Sequence, residues 1–205
     1  MTIQLSNAGK RFNREWIFRK ATSSFLPGGT YAITGSNGSG KSTLLQALAG
    51  SLEISEGTIT WQLNGTTIDA DKIYKYLTIA APYVEVIEEL TAIEFFEFHR
   101  QFKPLLPAIS LKEILQLIGL EKAAGKQIRF YSSGMKQRVK LAQAIFSDVP
   151  LLLLDEPCTN LDATGYELYH SLINKFCQNK TIIVSSNDFN EYSFCKEVLS
   201  ISDYK

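Results

Sequence analysis

Apolar runs without a polar break indicate the strands of the chain. Leu151–Leu154 and Thr181–Ser185 are continuously apolar or β-branched, as expected for strands covered on both faces of a mostly parallel sheet. Thr30–Thr34 is a third β-prone run, and it leads directly into a glycine-rich loop. Asn64-Gly65 separates two further runs and predicts a hairpin, because this pair supplies the positive φ angles of a type I′ turn.

Apolar residues at helical spacing fill the middle of the chain. The predicted helices there are Glu88–Gln101, Leu111–Ile118 and Ser133–Phe146, and a crossover helix is expected over Tyr166–Phe176. Because strand-rich segments flank this middle, it looks like an insertion. We therefore predict an α/β core at 1–83 and 149–205, with an antiparallel β subdomain near its start, and an inserted helical subdomain at 84–148.

Length, charge and cysteine content exclude several classes of protein. The chain has 205 residues, 45% of them hydrophobic, which is enough for a core without disulfides. Its 21 basic and 21 acidic residues balance, so no overall charge favours a nucleic-acid partner. Cys158, Cys177 and Cys195 are widely spaced and predict reduced thiols, as in cytosolic proteins. The longest apolar stretch is far shorter than the roughly 20 residues of a membrane span.

The glycine-rich loop indicates phosphate binding. Glycine, four further residues, glycine, lysine and serine form the P-loop pattern, here between a strand and a helix. Glycines let the backbone curl until successive N–H groups point at a phosphate, and the helix N-terminus adds partial positive charge. Lys41 is expected to reach the β- and γ-phosphates of a nucleoside triphosphate, and Ser42 to ligate Mg²⁺. The predicted binding residues are Gly35, Ser36, Asn37, Gly38, Ser39, Gly40, Lys41, Ser42 and Thr43.

Two carboxylates, Asp155 and Glu156, end the Leu151–Leu154 run. They are expected at the carboxyl edge of a parallel sheet, where such sheets bind ligands. Asp155 can hold Mg²⁺ through water, and Glu156 can polarise a water molecule against the γ-phosphate as a general base. Many strands end in polar loops, so this signal is weak alone, but it gains weight from the phosphate loop. Together the two motifs predict a P-loop NTPase (RecA-like) core.

Between these motifs the chain resembles the ATP-binding cassette (ABC) ATPases. The segment that begins at Tyr131 is similar to their Leu-Ser-Gly-Gly-Gln signature, with Tyr131 for the leucine, Ser133 for the first glycine and Met135 for the glutamine. Independently of the family, Ser132 or Ser133 is a suitable N-cap, and the first helical turn can bind an anion. The resemblance implies that Ser132, Ser133 and Gly134 close over the ATP bound to a second cassette.

The resemblance covers nearly the whole chain and assigns two further contacts. Phe12 falls where the family has the aromatic residue that stacks on adenine, although Trp16 is a competitor and either ring could belong to the core. Asp162 matches the loop through which one subunit contacts the other. The compact chain is similar to the cytochrome c maturation haem-exporter ATPases within this family.

Two positions depart from the family pattern. After an Ala-Ala-Pro segment the family usually has a glutamine that touches Mg²⁺ and the attacking water, and here the residue is Tyr83. The family's switch histidine is replaced by Asn187, which can donate a hydrogen bond to the γ-phosphate but cannot exchange a proton near neutral pH. Because Lys41 and Glu156 are retained, we expect slow hydrolysis rather than lost binding, with Lys41, Glu156 and Asn187 as the catalytic residues.

The resemblance implies a cytoplasmic ATPase subunit, peripheral on the cytoplasmic face of a membrane, that uses ATP and Mg²⁺. It would pair with a second cassette, identical or not, and drive a separate membrane permease that docks near Tyr83 and the aromatic residues after it. The alternative is a nucleotide-binding scaffold that closes on ATP but hardly hydrolyses it. A kinase or GTPase is disfavoured because it needs no signature, and a DNA-repair cassette because no long coiled-coil insertion is present.

Overall fold

The computed structural model covers residues 1–205 and divides into two units. The first unit comprises Met1–Leu77, Pro150–Glu156 and Asn179–Lys205, and the second comprises Thr78–Val149 and Pro157–Gln178. The functional division predicted from the sequence, with a helical subdomain at 84–148, stays a prediction.

An antiparallel sheet occupies the amino-terminal part of the first unit. Its strands are β1 (Thr2–Phe12), β2 (Glu15–Phe25), β4 (Glu56–Leu63) and β5 (Thr66–Ile68), in the order β2-β1-β4-β5. Along β1, Ile3 and Leu5 are buried between more exposed neighbours, the pattern of a sheet with one covered face. Asn64 and Gly65 both have positive φ angles and join β4 to β5, so the predicted hairpin is confirmed.

A parallel sheet in the first unit positions the phosphate loop. Its strands are β3 (Thr30–Thr34), β7 (Leu151–Asp155), β8 (Thr181–Ser185) and β9 (Glu197–Ser200), in the order β7-β8-β3-β9. Every residue of β7 and β8 is buried, as the continuous apolar runs predict. Helix α1 (Lys41–Leu48) follows β3 and packs on β7 and β8, and the short helix α6 (Phe189–Tyr192) follows β8.

Helices dominate the second unit, and strand β6 (Leu77–Ala80) begins at its boundary. The helices are α2 (Ala92–His99), α3 (Leu111–Leu117), α4 (Ser133–Phe146) and α5 (Ala163–Phe176). Helix α2 packs on α3 and α4, and α4 packs on α5. The aromatic side chains of Phe96, Phe146 and Tyr169 are fully buried in this unit.

Two helices begin at residues other than the predicted ones, because side-chain caps fix where they start. The helix expected over Glu88–Gln101 begins only at Ala92, because Thr91 and Glu94 form a capping box. In that box Thr91 Oγ1 accepts from the Glu94 amide at 3.3 Å, and the Glu94 carboxylate accepts from the Thr91 amide at 2.8 Å. Helix α5, in contrast, starts earlier than expected, because Asp162 caps it and Ala163 is its first residue.

The α/β class with an antiparallel sheet near the amino terminus is as the sequence predicts. Helices α2, α3 and α4 follow β6 in the chain, where the helical insertion was expected. None of the helices combines the length and apolar character that a membrane span requires. All three cysteines are free thiols.

Candidate nucleotide-binding site

The phosphate loop between β3 and α1 needs glycine at defined positions. Gly35 and Gly40 have φ angles of 148° and 104°. A Cβ atom on Gly40 would lie 2.3 Å from Ile17 Cγ2, and one on Gly35 would lie 2.7 Å from Ser39 Oγ. Side chains at these two positions would therefore be both strained and crowded.

Lys41 lies at the start of α1 with its side chain buried. Its ammonium group donates hydrogen bonds to the carbonyl oxygens of Gly35 at 2.9 Å and Ser36 at 3.3 Å. Both acceptors are neutral, so the positive charge is positioned by the loop without being neutralised by it. Helix α1 has no side-chain N-cap, which leaves its first N–H groups for an anion.

Ser39 supplies an independent indication that the loop fits a phosphate. Its side chain is 6% exposed, and its hydroxyl has no hydrogen-bond partner. A buried hydroxyl without a partner costs about 1–3 kcal/mol. A phosphate oxygen held in the loop is an acceptor that could satisfy this hydroxyl.

The two carboxylates lie at the end of β7, beside Ser185 of β8. Asp155 is buried and accepts a hydrogen bond from Ser185 Oγ at 2.6 Å. Glu156 donates its amide to the Ser185 carbonyl at 2.8 Å and has a φ angle of 44°, a left-handed conformation that is costly for a residue with a side chain. The hydroxyl of Ser42 and the carboxylate of Asp155 are oxygen donors of the kind that suit Mg²⁺.

Asn187 follows β8 and contacts the phosphate loop. Its Nδ2 donates a hydrogen bond to Asn37 Oδ1 at 2.6 Å. The first unit thus brings together most of the predicted phosphate and catalytic residues around a cleft of about 220 Å³. The cleft is lined by Ile17, Asn37, Gly38, Gly40, Lys41, Ser42, Thr43 and Glu156. Of these, sequence reasoning missed Ile17, because an apolar residue in a strand carries no signal of a ligand.

The signature segment begins α4 in the second unit. Ser132 is its N-cap and accepts from the Met135 amide at 3.3 Å, while the buried Tyr131 donates its hydroxyl to the Ala123 carbonyl at 2.8 Å. A Cβ atom on Gly134 would lie 3.0 Å from the Asn160 carbonyl oxygen. The signature therefore approaches the loop before α5 closely.

Asp162 lies in that loop and caps α5. Its carboxylate accepts from Thr164 Oγ1 and from the Gly165 amide, both at 2.9 Å, and these hydrogen bonds lower its pKa. The Arg138 guanidinium lies 3.7 Å away. A second cleft, of about 410 Å³, is lined by the signature and this loop, including Ser132, Ser133, Gly134 and Asp162.

Tyr83 belongs to the second unit, not to the unit that contains the phosphate loop. Its side chain is about half exposed. The preceding residue, Pro82, accepts a hydrogen bond from Lys140 Nζ of α4 at 3.4 Å. Burial lowers the pKa of Lys140.

Phe12 and Trp16 lie in the β1–β2 hairpin and differ in their surroundings. Phe12 is 48% exposed, which excludes the core role that the sequence left open for it. The Trp16 ring is covered by guanidinium groups, with Arg19 at 4.4 Å and Arg11 at 5.6 Å from its centroid.

Comparisons with known proteins agree with these motifs. A family model described as ABC transporter matches residues 18–159. ABC transporter I family member 1 of Arabidopsis thaliana is 31% identical over 190 residues, which cover 89% of this chain and 80% of that protein. The cytochrome c biogenesis ATP-binding export protein of Haemophilus influenzae is 27% identical over 204 residues, covering 99% and 96%. Among solved structures, a dimeric ATP-binding cassette in a post-hydrolysis state with ADP and Pi matches with a TM-score of 0.80 and 25% identity, covering 97% and 93%.

Proposed function

Because the chain belongs to the ABC transporter family, as its motifs predict, we propose that it is an ATP-hydrolysing subunit that drives a separate membrane permease. The observation that carries this proposal is the phosphate loop of the first unit. It combines a buried Lys41 ammonium, an uncapped helix N-terminus and a Ser39 hydroxyl without a partner. All three features suit a bound phosphate chain.

In the proposed reaction Lys41 and the first turn of α1 bind the β- and γ-phosphates of ATP. Ser42 and Asp155 would hold Mg²⁺, which when bound supplies positive charge that neutralises the phosphates. The Ser185 hydroxyl fixes the orientation of the Asp155 carboxylate in a buried setting. In this proposal these residues are sufficient to bind Mg-ATP, and neither Tyr83 nor Asn187 is needed for it.

Hydrolysis in this proposal depends on Glu156. It accepts a proton from the attacking water as that oxygen bonds to the γ-phosphorus, and the bond from the γ-phosphorus to the ADP oxygen breaks. Glu156 has a left-handed backbone and lines the cleft together with Lys41 and Ser42. Asn187 contributes an amide donor held by Asn37, but no exchangeable charge, so we expect slow turnover.

A second cassette completes the site in our proposal. The signature cleft of the second unit offers the N-terminus of α4 to an anion, with Ser132 and Gly134 at its edge. Support comes from the similar cassette whose structure is a dimer with ADP and Pi. A dimer would let the signature of one chain close over the ATP of its partner.

The proposed permease-docking surface lies in the second unit. Of the aromatic residues after Tyr83, Phe95 and Phe96 are buried in the core, whereas Phe98 and Phe102 are exposed. Exposed Ile93 also lines a cleft of about 1000 Å³, bordered by α2, α3 and the segment between them. We propose that exposed members of this set receive a short apolar segment of the permease.

Phosphate release by the purified chain tests the proposed activity. With Mg-ATP the wild type should release phosphate slowly, and Glu156→Gln should release less while still forming an ATP-dependent dimer in size-exclusion chromatography. Equal release from both proteins, above that of a protein-free blank, would contradict the role of Glu156.

The second candidate function is a scaffold that closes on ATP without hydrolysing it. It is favoured by Tyr83 and Asn187, which replace the residues that position water in the family. A wild-type chain that dimerises with ATP but releases no more phosphate than Glu156→Gln would establish this alternative.

A further inference from the structure

The Lys10 ammonium contacts both the Phe12 ring and the backbone of a distant segment. Its ammonium nitrogen lies 4.9 Å from the ring centroid, and the same nitrogen donates a hydrogen bond to the Glu53 carbonyl at 2.7 Å. A cation over an aromatic face is attracted by the electrons of the ring. Lys10 therefore ties the ring to a segment 43 positions further along the chain.

The strand end that carries Phe12 is fastened to the same segment by its backbone. The Ser55 amide donates to the Gly9 carbonyl at 2.7 Å, and the Arg11 amide donates to Ser55 Oγ at 3.1 Å. This segment follows α1, the helix that begins at Lys41. The phosphate helix and the Phe12 ring are thus joined through one short, hydrogen-bonded stretch of chain.

The Phe12 ring remains partly exposed although Lys10 contacts it. Nearly half of the side chain is exposed, so the ring retains area for stacking beyond the contact with Lys10. Trp16, the competing aromatic residue, has two guanidinium groups over its ring. One of them, on Arg19, is also held by Glu56 at 2.9 Å. Trp16 therefore already has two cationic partners, whereas Phe12 has one and is nearly half exposed.

We propose that Lys10 is a positioning residue for the nucleobase: it holds Phe12 as a preformed stacking platform for adenine. The inference rests on the proposed ATP binding and adds the residue that fixes the base platform. An aromatic side chain that is already ordered loses less conformational freedom when a base stacks on it, so preorganisation raises affinity. Lys10 acts through Phe12 in this scheme and need not touch the nucleotide.

Titration calorimetry with two ligands, ATP and inorganic tripolyphosphate, separates the base from the phosphates. Lys10→Met keeps much of the stem but removes the cation, and it should weaken ATP binding by about two- to fivefold, the range of an exposed cation–π contact. Tripolyphosphate binding should not change, since it has no base. Lys10→Arg keeps a cation over the ring and should restore ATP affinity.

Two controls make the result specific. Lys75 and Tyr74 form a comparable pair that does not line the cleft, with the ammonium 5.9 Å from the ring centroid. Lys75→Met should therefore change the affinity for neither ATP nor tripolyphosphate. Phe12→Ala should weaken ATP binding by about tenfold, within the range known for a base stacked on an aromatic ring. In the Phe12→Ala background, Lys10→Met should have no further effect on ATP binding.

Three results would overturn the proposal: no change in Lys10→Met, an equal loss for ATP and tripolyphosphate, or a full Lys10 effect in the Phe12→Ala background. A folded wild-type chain that binds neither ligand would refute the proposed function itself, and the role of Lys10 with it. If thermal melting shows that Lys10→Met is unfolded, Lys10→Gln carries the same test.

Discussion

The surroundings of His99 predict that the free energy of unfolding depends on pH. The Ser147 hydroxyl donates to the Gln143 carbonyl at 2.6 Å, so it accepts from His99 Nε2 at 2.8 Å. His99 Nδ1 is then unprotonated and accepts from Gln143 Nε2 at 3.0 Å. A second proton would convert this acceptor into a donor facing another donor. Burial, and secondarily the positive charge of Lys103, lower the pKa of His99 to about 4.

The magnitude follows from linkage between protonation and folding. The ordinary histidine pKa of 6.5 applies to the unfolded chain, and the folded value is about 4. Since the unfolded state binds the proton more tightly, acid favours unfolding. Stability should be complete above about pH 6.5 and fall as the pH decreases towards 4. Between about pH 7.5 and about pH 5 the loss from this one group should be about 2 kcal/mol.

Urea unfolding at several pH values can isolate this effect, because the chain has only two histidines. His99→Gln keeps a donor and an acceptor but does not titrate, so its loss of stability between pH 7.5 and 5 should be smaller than that of the wild type by about 2 kcal/mol. His170→Gln, on α5, removes the other imidazole and is the matched control. Parallel pH profiles for wild type and His99→Gln would refute the assignment.

Three further predictions concern the nucleotide site. At 100 times the Kd, Mg-ATP should stabilise the wild type by about 2.7 kcal/mol; Lys41→Ala should lose the corresponding rise in Tm, and a folded variant that keeps it would contradict the phosphate-loop assignment. Ser185→Ala should lower the free energy of unfolding by about 1.5–3 kcal/mol, because it removes a hydrogen bond from the buried Asp155 carboxylate; an unchanged urea midpoint would contradict this. Tyr83→Gln and Asn187→His should raise phosphate release with little change in ATP affinity, and the double variant should be non-additive; rates unmoved by either change would show that water is positioned in another way.

The fold was most predictable where burial is continuous. Strands β3 and β8 and helix α4 have the predicted bounds, because an uninterrupted apolar run or an apolar stripe at helical spacing fixes both type and length. The start of α2 was not predicted correctly. Glu88 and Glu89 are good helix formers, but the Thr91–Glu94 capping box sets the start of α2, and the Glu88 carbonyl accepts from the Arg129 amide at 2.9 Å. Tertiary contacts of this kind override local propensity.

The candidate site also has features that the sequence predicts and features that it does not. The phosphate loop and the pair of carboxylates are local motifs, and Lys41, Ser42 and Glu156 from these motifs line one cleft. Contacts between distant segments left no trace in the sequence. The carboxylate of Asp155 is held by Ser185 of another strand, and the ammonium of Lys10 donates to the Glu53 carbonyl. Serine in a buried strand and lysine near a strand end are common, so only the folded chain reveals these partners.

The two departures from the family pattern, Tyr83 and Asn187, should affect hydrolysis in different ways. Ile33 of β3 pairs with Ser185 of β8, so the loops that follow these strands emerge side by side, and Asn187 reaches Asn37 across them. A histidine introduced at position 187 would have to replace this amide contact, and it would also add a group that titrates near neutral pH. The glutamine that the family has at the position of Tyr83 carries no titratable group. The identity of residue 187 should therefore govern the pH dependence of hydrolysis, whereas residue 83 should affect its rate without adding a titrating group in that range.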